Sequence, residues 1–319
     1  MTRRNLRFLA LPLAAIMIAG CSSAAATQTL APIVTPAPTA AASAAATVAA
    51  TPTANACSKA NLTTLAAGKL TIGTDNPAYP PYFQPPATGN ATAPWELGDP
   101  TNGQGFEAAT AYAIAAKLGY AQTDVVWTVV PFDNSFKPGA KTFDVYLGQV
   151  SYTSDRAQAV DMSDGYYFVN QAVVSLKTNA IAGAKTIADL QKYKFGAQQT
   201  TTAYDTIQNV IKPTAATSVY NTNDAAIAAL KAKQIDAIVV DLPTAFYITS
   251  AQLDGSVIVG QFPAATGPDA EHFSVVLSKG SALTTCVNGA IAAMKTDGSL
   301  AQITKEWLSD KASAPAFGQ

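Results

Sequence analysis

Residues 143–156 have the sequence Phe143-Asp-Val-Tyr-Leu-Gly-Gln-Val-Ser-Tyr-Thr-Ser-Asp-Arg156. The pattern predicts a buried strand, then a polar turn, and then an arginine at the start of a helix. The guanidinium of Arg156 offers paired donors that match the two oxygens of a carboxylate, and Ser151 and nearby backbone N–H groups can add hydrogen bonds. The segment therefore indicates a site for a small carboxylate, although an arginine that simply begins a surface helix explains it equally well.

Short apolar strands alternate with amphipathic helices along the chain from Leu70 onward. Strands are predicted at residues 70–74, 125–130, 143–150, 172–176, 195–198, 237–240, 257–259 and 273–277. Helices are predicted at residues 106–118, 203–211, 224–232, 243–251, 282–296 and 299–308. This alternation is typical of α/β proteins with mostly parallel sheets, in which ligands bind beyond the carboxyl ends of the strands.

Polar side chains follow several of these strands at the point where each strand ends. They are Asp75, Ser151, Thr201, Thr202 and Asp241. Together with Arg156 they predict a pocket for a small zwitterion, in which Arg156 holds a carboxylate and Asp241 holds an ammonium group. Each residue alone is also consistent with a turn or a helix cap, but their recurrence at strand ends makes chance a poor explanation.

The N-terminal residues predict export and membrane anchoring. Three arginines precede an uncharged apolar run over residues 8–20, which is the order of a signal peptide. Ile18-Ala-Gly-Cys21 resembles the lipobox of bacterial lipoproteins, in which the cysteine is acylated; an ordinary signal peptide with a chance cysteine is the alternative. Residues 22–56 are almost wholly Ala, Thr, Pro and Ser, so residues 21–56 are predicted to form a lipidated, disordered tether on the outer side of the membrane.

The cysteines, the single histidine and the net charge of the chain limit the kinds of function that are expected. Cys57 and Cys286 form an even pair in an exported chain, which favours a disulfide over two free thiols. The single His272 stands apart from the cysteines, so no metal site and no cofactor are predicted. A formal net charge of -1 gives no basic surface, and nucleic acid is not an expected partner.

The order of these residues resembles the family 3 extracellular solute-binding proteins, the polar amino-acid receptors of bacterial ABC importers. The resemblance runs from about residue 70 to residue 308. Its best-marked part is the 143–156 segment with the following Val160-Asp-Met-Ser-Asp-Gly-Tyr-Tyr167. The other matching motifs are Leu70-Thr-Ile-Gly-Thr-Asp75, Gly105-Phe-Glu-Ala, Gln198-Gln-Thr-Thr-Thr202, Ile235-Asp-Ala-Ile-Val-Val-Asp241 and Asp297-Gly-Ser-Leu.

The resemblance implies a two-lobed, periplasmic-binding-protein-like (type II) α/β fold with two hinge strands. Residues 57–168 plus 271–319 would form lobe 1, and residues 169–270 would form lobe 2. It implies that Arg156 and Ser151 bind the α-carboxylate of an amino acid, that Thr202 adds a hydrogen bond, and that Asp241 binds the α-ammonium group. Asp75 would face the ligand side chain between the aromatic walls Tyr79 and Phe132, and an ABC transporter permease would receive the ligand.

Three features depart from the family pattern at the edge of the expected cleft. Gln149 and Thr200 occupy positions where the family usually has glycine, so the side chain of Gln149 is expected to reach the ligand. The stretch from Gln84 to Asn102 is longer than the usual hairpin. The identity of the bound amino acid therefore does not follow from the resemblance.

Two other functions fit the same scaffold. A dehydratase or lyase would use a cleft carboxylate, Asp75 or Asp241, as acid or base. The sequence contains no nucleophile elbow and no phosphate-binding loop, and we therefore expect a binding protein rather than an enzyme. A sensory module would continue into a transmembrane helix and a cytoplasmic domain, which we do not expect from the residues after 308.

Overall fold

The computed structural model describes residues 56–263, 267, 270–308 and 314–318. The predicted signal peptide, Cys21 with its predicted acylation, and the predicted tether up to residue 55 lie outside the described residues. In the described part of the chain, no helix is both long enough and apolar enough to span a membrane.

The described chain contains strands and helices in alternation, together with short 3-10 turns and two π-helical turns at Ile207–Ile211 and Ile248–Gln252. The strands are β1 (Leu70–Thr74), β2 (Val125–Val129), β3 (Val145–Tyr146), β4 (Asp161–Met162), β5 (Tyr167–Phe168), β6 (Gln171–Leu176), β7 (Phe195–Gln198), β8 (Ser218–Tyr220), β9 (Ala237–Asp241), β10 (Ser256–Gln261), β11 (His272–Phe273) and β12 (Val276–Leu277). The helices are α1 (Phe106–Lys117), α2 (Phe132–Ser135), α3 (Ser154–Ala159), α4 (Ile187–Leu190), α5 (Thr202–Thr206), α6 (Asn223–Lys231), α7 (Leu242–Tyr247), α8 (Leu283–Thr296) and α9 (Ser299–Trp307).

The strands form two five-stranded sheets, with order β2-β1-β3-β12-β4 in the first and β10-β6-β9-β7-β8 in the second. A two-stranded antiparallel pair of β5 with β11 lies where the chain passes between them. The predicted two-lobed α/β fold with two hinge strands is thus confirmed. In agreement with the expectation of mostly parallel sheets, four of the five described strands in each sheet run in the same direction, and only β12 in the first sheet and β6 in the second run antiparallel to the others. Their apolar runs carry no sign of strand direction.

The central strands of the second sheet are largely apolar because helices cover both faces. Side chains of successive residues point to opposite faces of a strand. Val173 and Val239 accordingly pack in one core cluster, while Val174 and Ile238 pack in another. A strand buried on both sides reads as a continuous apolar run, and this is why residues 237–240 were recognisable as a strand in the sequence.

The strand within residues 143–150 is shorter than predicted. Only Val145 and Tyr146 pair in the first sheet. Gly148 lies against the ring of Tyr146, where an added Cβ would approach to 2.8 Å, and Gln149 has φ 53°. The chain therefore leaves the sheet after Tyr146, and Ser151 forms only an isolated antiparallel bridge with Phe273.

The C-terminal residues 314–318 pack against the second sheet, although lobe 1 is predicted to include residues 271–319. Ala316 forms a bridge with Gln261, and Gly318 forms one with Thr186. The buried ring of Phe317 contacts Phe262 and lies where a side chain at Gly260 would otherwise sit. An apolar residue near the chain end thus completes the core of the opposite lobe.

The predicted disulfide is present between Cys57 and Cys286, with a Cα–Cα distance of 5.3 Å. Cys57 precedes the first strand, and Cys286 is buried on α8 in the first core. The bond therefore fixes the start of the described chain to a helix that is 229 residues later in the sequence.

Candidate functional site

A cavity of about 70 Å³ lies between the two sheets and is lined by residues from both. A buried water needs roughly 10–15 Å³ on the same measure, so the cavity accommodates a small solute. The predicted ligand-binding residues line it with the exception of Ser151. Those that line it are Asp75, Tyr79, Phe132, Gln149, Arg156, Thr201, Thr202 and Asp241.

Arg156 is positioned by the helix start that the sequence predicts. The Thr153 side chain accepts a hydrogen bond from the backbone N–H of Arg156 at 3.1 Å and so caps α3. The guanidinium then donates to two backbone carbonyls, from Nη1 to Ser151 at 2.6 Å and from Nη2 to Thr200 at 2.7 Å. Because Ser151 belongs to the first lobe and Thr200 to the second, Arg156 joins the two sides of the cavity.

The charge of Arg156 has no carboxylate partner within ion-pair distance among the described residues. Its side chain is buried, with the guanidinium carbon 4.4 Å from the ring centroid of Phe136 and 5.5 Å from that of Phe132. Burial lowers the pKa of Arg156 to about 10, which still leaves it charged at neutral pH. A buried cation that touches rings and carbonyls without a counter-ion is a strong site for an anion.

Asp241 ends β9 on the opposite side of the cavity. Its Oδ1 accepts a hydrogen bond from Gln171 Nε2 at 2.6 Å. Burial, and then the negative charge of Glu271, raise the pKa of Asp241 well above the usual range of a carboxyl group. A ligand cation at this position would compensate the charged form of Asp241.

Glu271 is a residue that the sequence analysis missed. It lies just before β11 and accepts from Ser151 Oγ at 2.6 Å and from Gln171 Nε2 at 3.1 Å. Ser151 therefore directs its hydroxyl hydrogen away from the cavity, and its role in holding a ligand carboxylate stays a prediction. Glu271 follows no strand and belongs to no recognisable motif, so its place beside Asp241 depends on the fold.

The two threonines after β7 have different roles. Thr201 caps α5, because its Oγ1 donates to the carbonyl of Gln198 at 2.8 Å and accepts from the N–H of Tyr204 at 3.2 Å. Thr202 Oγ1 lies 3.5 Å from Ser151 Oγ and 3.4 Å from Gln171 Nε2, and both are long contacts. Of the two hydroxyls, that of Thr202 is better placed to bond a ligand.

The part of the cavity wall next to β1 carries an acidic side chain. Asp75 lines it after β1, and burial raises the pKa of this carboxyl group even though it accepts from the N–H of Asn76 at 2.8 Å. Burial also raises the pKa of Tyr79, with further contributions from the charges of Asp224 and Asp75. This part of the cavity therefore favours a cationic or hydrogen-bond-donating group.

Gln149 and Thr200, where the resemblance leads us to expect glycine, both adopt the left-handed backbone conformation, with φ 53° and 59°. Glycine adopts this conformation without steric cost. Gln149 also lines the cavity, but its backbone N–H donates to Glu107 Oε1 at 2.7 Å and its side-chain amide donates to Glu107 Oε2. The amide is therefore engaged with Glu107, whereas the sequence led us to expect contact with the ligand.

Replacing Thr200 with glycine is expected to stabilise the protein by roughly 0.5–1 kcal/mol. The left-handed conformation costs a residue with a Cβ roughly 1–2 kcal/mol, and the added freedom of glycine in the unfolded chain offsets part of the gain. Urea unfolding measures the change. Thr206→Gly is the matched control, because Thr206 has φ −61° in α5 and glycine there should destabilise by about 1 kcal/mol. A loss of stability in Thr200→Gly would contradict the assignment of strain.

Glu107 is the second residue that the sequence analysis did not single out. It is fully buried in α1 and accepts hydrogen bonds from Gln149 and from the hydroxyl group of Tyr166. Burial raises the pKa of Glu107 to about 7 in spite of these donors. The folded protein thus retains a proton that the unfolded chain has released between pH 4.5 and about 7, and stability falls as pH rises through this window.

Glu107→Gln is expected to remove this part of the pH dependence. The difference in unfolding free energy between wild type and variant should change by about 3 kcal/mol between pH 5 and pH 8, in the direction of a less stable wild type at pH 8. Urea unfolding at a series of pH values measures it. Equal slopes for the two proteins would show that Glu107 is ionised throughout.

A family of known proteins and several of its relatives are similar to this chain. A family model described as bacterial extracellular solute-binding proteins, family 3, matches residues 86–310. The arginine-binding extracellular protein ArtP of Bacillus subtilis (strain 168) is 25% identical over 220 residues, which are 67% of this chain and 82% of ArtP.

Two solved structures are similar in fold and sequence. An ancestral arginine-binding protein bound to arginine is 26% identical, with a TM-score of 0.60, over 76% of this chain and 98% of its own. The ancestral amino acid-binding protein AncCDT-1, a precursor of cyclohexadienyl dehydratase, is also 26% identical with a TM-score of 0.60, over 76% of this chain and 95% of its own.

Proposed function

The chain belongs to the bacterial extracellular solute-binding proteins, family 3, and from this premise we propose that it captures an amino acid as a zwitterion between its two sheets. The observation that carries the proposal is a buried cation and a carboxyl group that line one cavity from the two lobes. Arg156 has no anionic partner within ion-pair distance among the described residues, and Asp241 lies across the cavity with a strongly raised pKa. An α-carboxylate and an α-ammonium group satisfy both.

Binding would be completed by residues from both lobes. The carboxylate would accept from the unused N–H groups of Arg156 and from Thr202, and the ammonium group would donate to Asp241. Hydrogen bonds already cross between the lobes from Arg156 Nη2 to the carbonyl of Thr200 at 2.7 Å and between the hydroxyls of Tyr82 and Thr244 at 3.1 Å. A ligand that touches both lobes binds the closed arrangement more tightly than an open one, and this difference in affinity drives closure.

The acidic part of the cavity wall next to β1 leads us to propose a cationic side chain on the ligand. Asp75 lines that part, and the charge of Asp224 acts on the neighbouring Tyr79. ArtP and the ancestral structure are described as arginine-binding proteins, which agrees with this choice. Arginine and lysine should therefore bind more tightly than neutral amino acids, and aspartate and glutamate should not bind.

Calorimetry of the full-length chain with a panel of amino acids tests the proposal. The expected result is saturable binding that is tightest for a cationic amino acid. Asp241→Asn, which keeps the shape but removes the charge, should weaken binding at least about tenfold. Asp155→Asn is the matched control, because Asp155 is exposed on α3 close to Arg156 and its loss should leave affinity nearly unchanged. If no amino acid binds, the proposal fails.

We also propose that the protein is anchored to the membrane and delivers the amino acid to a transporter. Acylated Cys21 would hold the protein at the outer face of the membrane, and an ABC transporter permease would receive the amino acid. Mass spectrometry of the mature protein should find Cys21 as the first residue, carrying acyl chains, and Cys21→Ser should release the protein from the membrane fraction. A mature chain that starts at another residue would contradict this part.

A dehydratase or lyase is the second candidate, and one observation favours it. Asp241 is a buried acid in the cavity wall whose pKa is raised, as suits a general acid. The relatives named above are binding proteins, but one of them is a precursor of a dehydratase. Incubation with prephenate should give no product; turnover that is lost in Asp241→Asn would establish the enzyme instead.

A further inference from the structure

The side-chain amide of Gln171 links Glu271 to Asp241, because it donates to both carboxyl groups. Gln171 Nε2 donates both to Asp241 Oδ1, at 2.6 Å, and to Glu271 Oε1, at 3.1 Å. Gln171 and Asp241 are paired neighbours on β6 and β9 of the second sheet. Glu271 lies beside β11 and is also held by Ser151 Oγ of the first lobe at 2.6 Å. Two carboxyl groups from the two sides of the hinge thus converge on one amide nitrogen.

Besides burial, the negative charge of Glu271 disfavours ionisation of Asp241, because two like charges this close repel each other. Glu271 has two hydrogen-bond donors, whereas the side chain of Asp241 accepts from Gln171 alone among the described residues. Asp241 therefore keeps its proton to a higher pH than an ordinary carboxyl group. Binding of an ammonium group reverses this preference, since its positive charge requires Asp241 in the ionised form.

We propose that Glu271 is a positioning residue that couples capture of the ligand's ammonium group by Asp241 to release of one proton. The proposal rests on the proposed function. Before binding, the Asp241 carboxyl group carries the proton; as the ammonium group docks, that proton leaves for solvent and an ion pair forms. Affinity is therefore low at acid pH, rises with pH as Asp241 in the free protein loses its proton, and is constant above that point.

Other charged and titratable groups influence the pKa of Asp241, and these groups are present in all the variants compared. Glu107, whose own pKa is raised to about 7, opposes ionisation of Asp241 when it is charged, and the positive charge of Arg156 favours it. The phenols of the buried Tyr82 and the half-buried Tyr167 also act on Asp241, and their own pKa values are raised, so they do not titrate near neutral pH. His272 follows Glu271, with its ring stacked on Tyr152 and Nδ1 2.8 Å from the carbonyl of Ala270.

Calorimetry at a series of pH values from 5 to 8.5 tests the coupling, with arginine as the probe for the full-length chain. Wild-type affinity should rise at least about tenfold over this range, with a limit of about tenfold per pH unit for one proton. Titrations in buffers of different ionisation enthalpy count the protons released. Glu271→Gln should move the midpoint of the rise at least about one pH unit lower and should reduce proton release at pH 6.

Asp205→Asn is the matched control, because it removes an exposed carboxylate whose charge reaches Arg156 and does not change the Asp241 pair. Its midpoint should equal that of wild type. A merely structural role for Glu271 would weaken binding by the same factor at every pH, and that result would overturn the proposal. If wild type binds arginine with no pH dependence, only this inference fails; if wild type binds no amino acid at any pH, the proposed function fails.

Discussion

Arg156→Ala is expected to weaken amino-acid binding by at least about 100-fold. Truncating one partner of a buried, hydrogen-bonded charge pair typically costs 2–5 kcal/mol, and each 1.4 kcal/mol is tenfold in affinity. The loss should be large here because no carboxylate of the described residues lies within ion-pair distance of Arg156, so the ligand carboxylate is its direct ion-pair partner. Calorimetry with the amino acid that binds wild type most tightly measures the effect.

Arg156→Lys separates charge from geometry. A lysine keeps the positive charge but cannot donate to two carbonyls and a carboxylate from one planar group, so we expect it to recover only a minor part of the affinity. Because the guanidinium also bonds the carbonyls of Ser151 and Thr200, both variants require a folding check by circular dichroism. Near wild-type affinity in a folded Arg156→Ala protein would exclude Arg156 as the carboxylate site.

Loss of the disulfide is expected to lower the free energy of unfolding by about 5 kcal/mol. In the chain-entropy model the stabilisation grows with the length of the closed loop, and the loop between Cys57 and Cys286 spans 229 residues. The bond also holds residues near Cys57 against the first core, which includes α8. Chemical unfolding of Cys57→Ser/Cys286→Ser against wild type measures the difference.

Reductant provides the control for that experiment. Wild type in reductant should approach the stability of the double variant, and the double variant should not respond to reductant. A double variant as stable as oxidised wild type would show that the bond contributes little beyond the packing around it. Ligand affinity should change little, because Cys57 and Cys286 do not line the cavity between the sheets.

Much of the site could be predicted because its residues follow local patterns. Asp241 follows an apolar strand that is buried on both faces, and Arg156 lies at a helix start capped by Thr153. Patterns of this kind depend only on neighbours in the sequence. The fold followed from the same alternation of strands and helices together with the family resemblance.

The missed parts depend on contacts between distant residues. Glu107 is 42 residues from Gln149, and Glu271 is 120 residues from Ser151, yet each pair is hydrogen-bonded. The sequence alone gives no sign that the hydroxyl of Ser151 is used by Glu271 or that the amide of Gln149 is used by Glu107. The antiparallel direction of β6 and β12 was missed for a similar reason, since both strands lie close to the crossings between lobes and their pairing depends on the path of the chain there.

The proposed binding mode depends above all on Arg156 holding the carboxylate of the bound amino acid. A thermodynamic cycle measures this role, with arginine and its decarboxylated counterpart agmatine as ligands and with wild type and Arg156→Ala as proteins. Wild type should bind arginine at least about 100-fold more tightly than agmatine, and Arg156→Ala should bind the two within about threefold of each other. If Arg156→Ala retains the full preference for arginine over agmatine, the carboxylate is bound elsewhere and the proposed role of Arg156 is wrong.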